Sequence, residues 1–207
     1  MAWITAVRMC AAGPPVAALA ATVAGFLTPG YDPVTATVSR LAVPGAPAAW
    51  LVDVAMAVVA LTCFGLALSL DRARAALTIA GIGLAIAALV HLDPASWTST
   101  WAHRSASAVA IAGLTLAPVA LRRDYGAICL VAGLAELAML VAAAVLVMTP
   151  FEAWGLWERG LLAIALTWMV LIAFMKPSTQ DAASARSAIL SRMGSYDPVK
   201  NVTRAKP

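Results

Sequence analysis

The feature that most restricts this chain is a series of apolar runs, each close to the length of a membrane-crossing helix. A helix needs about 20 residues to cross the hydrocarbon core. Such a segment must satisfy its own backbone hydrogen bonds, because lipid offers no partners. The runs fall at roughly 5–28, 49–70, 75–92, 102–121, 127–148 and 154–175. They are continuous, whereas a membrane β-barrel would show short alternating segments. Composition agrees: 62% of the residues are apolar and 12% charged, roughly half the charge of a soluble domain. The fold class expected is all-α, a polytopic membrane protein built as a bundle of six transmembrane helices over residues 1–177. A basic cytoplasmic tail, partly disordered, is expected over 178–207.

The first run follows Arg8 and so resembles a signal peptide. Pro14 and Pro15 interrupt it, and it is long for a signal core, so it reads as an uncleaved, kinked span. Cys10, Cys63 and Cys129 all lie in apolar runs without metal-ligand spacing and read as small packing residues.

Lysine and arginine set the expected orientation. With the N-terminus inside, Arg8, Arg72, Arg74, Arg122, Arg123, Lys176 and five tail residues (Arg186, Arg192, Lys200, Arg204, Lys206) face the cytoplasm. Only Arg40, Arg104 and Arg159 face outward. The positive-inside rule then places both termini in the cytoplasm of a plasma (inner) membrane. Trp50, Trp97, Trp101, Trp154 and Trp157 fall at the outer ends, as an interfacial aromatic belt does. The net charge of +4 follows this topology, and no nucleic-acid partner is expected from it.

The outer loops carry helix-start signals. Asp32-Pro33 places a carboxylate before a proline. Val34, Val38 and Leu41 then share a helical face, which predicts a short interfacial helix lying on the outer surface. Asp93-Pro94 repeats the signal, and Thr149-Pro150-Phe151-Glu152 has capping-box spacing that starts the last helix near Pro150. In the tail, residues 180–193 form a weakly amphipathic basic stretch suited to a helix near anionic lipid.

Ionisable groups inside spans cost about 2.5–3.5 kcal/mol at the centre on insertion scales. Each therefore raises a functional reading beside a structural one. Glu136 is the deepest: it is a candidate proton relay, or a hydrogen bond that fixes packing, either protonated or reaching Arg8. Near the outer face stand Asp53, His91, Asp93, His103, Arg104, Glu158 and Arg159, from four helices that can converge. His91 and His103 are candidate metal ligands, since imidazole and carboxylate suit zinc and related ions. They lack the i, i+4 spacing that puts two ligands on one helix face. His91, Asp93, His103 and Glu158 are the candidate catalytic groups. Asp32, Arg40, Asp53, Arg104 and Arg159 are the candidate ligand-binding groups. A network of ion pairs is the structural reading of the same residues. No cofactor is indicated by any motif.

Several of these residues occur in an order that resembles domain of unknown function 998, a family of six-span bacterial membrane proteins. Tyr31-Asp32-Pro33 and Thr37-Val38-Ser39-Arg40-Leu41 are similar to that family's YDP-like start and its continuation. Trp50 opens the second span, His91-Leu92-Asp93-Pro94 precedes His103, and Gly155-Leu156-Trp157-Glu158-Arg159 is similar to the family's Glu-Arg pair, with Trp168 beyond. Leu92-Asp93-Pro94 departs from the Phe-Pro start usual there. The resemblance covers roughly residues 5–175 and implies no activity.

The leading expectation is a small membrane protein that binds a lipid or a membrane-protein partner at its extracytoplasmic half. One alternative is a membrane-embedded, metal-dependent hydrolase or transferase acting on lipid or envelope material. Another is a small proton-coupled transporter using Glu136, although no inverted repeat of the kind common in transporters is visible.

Overall fold

The structure, a computed structural model, describes residues 10–175. Arg8, the start of the first predicted span, Lys176 and the tail with its 180–193 stretch lie outside the described residues. Within them the chain is helical, with no strand. Six α-helices follow one another: α1 Gly13–Leu27, α2 Ala49–Ser69, α3 Arg74–Leu89, α4 Trp97–Tyr125, α5 Ala127–Leu146 and α6 Trp154–Phe174. Two 3-10 turns, Val38–Ala42 and Asp71–Ala73, precede α2 and α3. Five helices are long and apolar enough to cross a membrane: α2, α3 with its leading turn, α4, α5 and α6. The described part of the first predicted span, α1, has 15 residues and rises only about 22 Å. Pro14 and Pro15 occupy its first positions, where a missing N–H costs no hydrogen bond.

Each helix packs on the next, and α6 returns to touch α1 and α4, so the bundle closes as a ring. Short links enforce the alternation. Gly126, with φ of +73°, reverses the chain between α4 and α5, a conformation that glycine adopts without steric cost. At the same end Arg72 Nε lies 3.1 Å from Asp124 Oδ1, tying the α2–α3 link to the end of α4. Arg74 pairs with Asp71.

Small residues set the closest approach. A Cβ on Gly83 of α3 would stand 2.6 Å from Ala106 O and from Ala110 N of α4. A Cβ on Gly113 of α4 would stand 2.6 Å from Ala76 O and 2.7 Å from Ala80 N of α3. The two glycines thus let the helix backbones meet from both sides, as small residues do where lipid supplies no hydrophobic drive for helix association. Trp168, Met169 and Ile172 of α6 fill the centre of the core with Leu66, Leu77 and Leu121.

Three local expectations change. The 33–41 segment is not an amphipathic helix on the surface. It is a turn followed by the 3-10 turn Val38–Ala42, and Leu41 and Ala42 are wholly buried against α1 and α2. The reason is competition for the backbone: Val34 O accepts from Leu156 N, and Pro33 O and Ala36 O accept from Arg159, so tertiary partners take carbonyls that a helix needs. Asp93 does not cap α4; Ser96 does, its side chain accepting from Ser99 N at 3.2 Å. The last helix starts at Trp154 without a side-chain cap, and the Thr149 hydroxyl instead bonds back to Leu146 O at 2.8 Å. Helix α4 also runs beyond the expected 102–121 at both ends. Its 29 residues rise about 43 Å, more than the roughly 30 Å hydrocarbon core.

Candidate functional site

The helix starts bearing Trp50, Trp97, Trp101, Trp154 and Trp157 all lie at one end of the bundle, here the tryptophan end. Trp154 stacks edge-on with Phe151 and with Trp157. Trp157 Nε1 donates to Met139 O of α5 at 3.2 Å. Apart from Glu136, the polar residues singled out by sequence lie at this end, most of them in two separate groups. No hydrogen bond or ion pair joins the groups among the described residues.

The first group binds the 31–42 loop to the start of α6. Gly155 permits the approach: a Cβ there would stand 2.6 Å from Pro33 O and would overlap Ala36 O. One residue on, Leu156 N donates to Val34 O at 3.0 Å. The Glu158 carboxylate accepts from Val38 N, at the head of the 3-10 turn, and lies 3.5 Å from the Ser39 hydroxyl. Arg159 Nη1 reaches three carbonyls, Pro33 O at 2.7 Å, Gly155 O at 3.0 Å and Ala36 O at 3.3 Å. Its Nη2 donates to the Tyr31 hydroxyl at 2.5 Å, and the guanidinium stands 5.5 Å from the Tyr31 ring centre. That hydroxyl in turn donates toward Ala36 O at 3.0 Å and Thr37 O at 3.2 Å. Arg159 thus makes no ion pair with a carboxylate among the described residues, and its donors serve neutral oxygens. Burial pushes the Tyr31 phenol above its ordinary value, against the pull of Arg159. Asp32 is held below the usual carboxylate value by the Val34 amide and the Thr35 hydroxyl, at 2.9 and 2.8 Å. It closes its own turn and is exposed, as is Arg40.

The second group sits where α2, α3 and α4 meet. His91 Nε2 lies 3.0 Å from Asp53 Oδ2. Buried His103 places Nδ1 2.7 Å from Val90 O and 3.1 Å from Ala87 O. Two carbonyl acceptors require Nδ1 to carry the hydrogen, so His103 satisfies carbonyls that the end of α3 leaves without helical donors. Asp93 spends its carboxylate on Ala95 N and its carbonyl on Thr100 Oγ1, and Ser99 Oγ donates to His91 O at 2.7 Å. Arg104 is exposed.

Of the four candidate catalytic residues, Glu158 therefore belongs to the loop group, and His91, Asp93 and His103 to the other, each with a different local partner. Among the described residues no three His, Cys, Asp or Glu side chains converge as metal ligands do. Glu136 stands apart from both groups, buried in α5, with Oε1 accepting from Trp168 Nε1 of α6 at 3.0 Å.

An apolar cavity of about 220 Å³ opens beside Arg159, between α1, α2 and α6. Ala17, Ala21, Val59 and Leu166 line its walls, and Val38 and Arg159 border it at the tryptophan end. A second hollow between α1 and α6 shares Ala18, Ala163 and Leu166 with it and reaches Pro14 and Leu171 toward the opposite end. Gly155 and Tyr31, which the sequence shows only as members of the motifs around Asp32 and Glu158, are parts of the site.

A ring of six helices, five of them long and apolar enough to cross a membrane, with a tryptophan-lined end, defines a multi-pass helical membrane protein. The chain belongs to the family described as protein of unknown function (DUF998), whose family model matches residues 11–175. No curated protein and no solved structure matches it.

Proposed function

We propose that this protein crosses the membrane six times, with both termini in the cytoplasm, and holds a lipid at its extracytoplasmic half. Part of one acyl chain occupies the cavity between α1, α2 and α6, and the head group lies toward Arg159. The observation that carries this reading is the apolar cavity bordered by an arginine that forms no salt bridge among the described residues. At about 220 Å³ it takes a segment of one acyl chain, the remainder lying along the outside of the bundle. It is lined almost wholly by apolar side chains, which disfavours water. Ala18, Thr22 and Ala163 on its wall are exposed, so it opens sideways between α1 and α6, the direction from which a bilayer lipid arrives.

Native mass spectrometry of protein extracted gently from its own membrane tests the reading. The expected result is a retained lipid, reduced about tenfold in Ala163→Phe, the equivalent of ~1.4 kcal/mol of binding. Val131→Phe, on an exposed face of α5, leaves retention unchanged. Equal retention in Ala163→Phe removes the cavity as the site. A metal lost in His91→Ala and His103→Ala would favour the hydrolase or transferase alternative. A co-purifying protein without lipid would favour a partner-binding role.

Orientation has its own test. Cysteines introduced as Ser39→Cys and Ser99→Cys react with an impermeant thiol reagent in intact cells, and Ser195→Cys does not. Labelling at position 195 overturns the proposed topology.

A further inference from the structure

The interior of the bundle holds a polar group that the lipid reading does not use. Glu136 lies nine residues into α5 and is 1% exposed. Helix α5 packs on α4 and α6 alone among the described helices, and each supplies a polar neighbour. Trp168 of α6 gives Oε1 its indole N–H at 3.0 Å. On the α4 side, Gly133 stands one turn before Glu136 and brings α5 close, since a Cβ there would lie 3.4 Å from Thr115 O. The Thr115 hydroxyl lies beside the carboxyl. Both Thr115 Oγ1 and Glu136 Oε2 are buried and lack a hydrogen-bond partner.

The charged and titratable groups on the three helices are distant. On α5, Cys129 is seven residues toward the Arg72 end, about 10 Å along the axis. On α4, Arg122, Arg123, Asp124 and Tyr125 stand at that same end, and His103 and Arg104 near the other. On α6, Glu158 and Arg159 stand near the tryptophan end, nine or more residues before Trp168. An ionised Glu136 would therefore be a charge in the middle of an apolar helix with only neutral donors beside it, the arrangement a membrane interior most disfavours.

A hydrogen on Oε2 changes the inventory. Oε1 remains the carbonyl acceptor for Trp168, Oε2 becomes a donor, and the Thr115 hydroxyl beside it becomes the acceptor. A bond between them would give both unpartnered atoms a partner. We infer that Glu136, Thr115 and Trp168 form a proton-binding site in the interior of the membrane domain, occupied at neutral pH, with the proton on Oε2. Its ligand is a single proton, and the site links α4, α5 and α6. This goes beyond the lipid reading and does not depend on it.

Infrared spectroscopy of the full chain, delipidated and held in an alkyl maltoside detergent that carries no carbonyl group, at neutral pH tests the site. The expected spectrum contains the C=O stretch of a protonated carboxyl that is absent in Glu136→Gln and moves down in heavy water. In Trp168→Phe the same band moves to higher frequency, because the carbonyl has lost its indole donor. This second variant assigns the band even where Glu136→Gln is not recovered folded. A carboxylate kept only as a packing contact, or paired with Arg8, gives no such band. Superposition of the Glu136→Gln and wild-type spectra in this region, or a band unmoved by Trp168→Phe, overturns the proposal.

Discussion

Gly113→Val is expected to prevent the bundle from assembling, recovered as aggregate on size exclusion or with a melting temperature far below wild type. The first added carbon already stands 2.6 Å from Ala76 O and 2.7 Å from Ala80 N. These are backbone atoms of a packed helix, so they cannot rotate aside as a flexible side chain would. Overpacking commonly costs about 1–3 kcal/mol, and a wedge between two backbones lies at or beyond the top of that range. Gly83→Val has a similar effect, because Gly83 meets α4 from the other side at the same spacing. Gly126→Ala separates packing from backbone strain. Its φ is +73° and its ψ -149°, but nothing lies within 4 Å of the added carbon, so only this backbone conformation, essentially confined to glycine, is penalised, by about 1–3 kcal/mol. A Gly113→Val protein that melts with the wild type would show that α3 and α4 do not approach as described.

Removing the Arg159 guanidinium has the second largest expected effect. Arg159→Ala leaves Pro33 O, Ala36 O and the Tyr31 hydroxyl without that donor. One bond to a charged group contributes about 1.5–3 kcal/mol. The expected total is only about 3 kcal/mol, because these groups are partly exposed and regain water. Arg159→Lys is expected to lose most of the same stability. A lysine ammonium is a point donor and cannot span acceptors that a planar fork reaches together. Thermal melting in detergent gives the magnitude. The rate at which Ser39→Cys reacts with a thiol reagent, with and without the Arg159 change, reports whether the loop has come free. Full stability in Arg159→Lys would mean that charge, not the fork of donors, holds the loop.

The comparison of α6 with the 33–42 loop shows what kind of information a sequence carries. The run 154–175 is legible because crossing a bilayer depends on the residues of one segment: enough consecutive apolar side chains, with backbone bonds made internally. The same holds for α2, α5 and the tryptophans at the helix starts. Asp32 illustrates the intermediate case. Its turn-forming chemistry is visible in Asp32-Pro33, and the carboxylate does bond Val34 N and Thr35 Oγ1. The path of the chain beyond that turn is not legible locally, because Val34 O and Ala36 O are taken by groups more than a hundred residues away.

The ionisable residues divide in the same way. That Glu136, His103 and Glu158 would each need a partner follows from their place in apolar helices. Which partner each has depends on helix order and rotation. Glu136 meets Trp168, His103 meets the end of α3, and Glu158 meets Val38 N. The sequence alone determined the helical class, five of the long apolar helices and the need to compensate buried polar groups, because these rest on local transfer free energies and hydrogen-bond supply. Only the tertiary structure decided the polar pairings, the Gly83–Gly113 approach and the cavity beside Arg159. Those arise from surfaces brought together by packing, and no single segment encodes them.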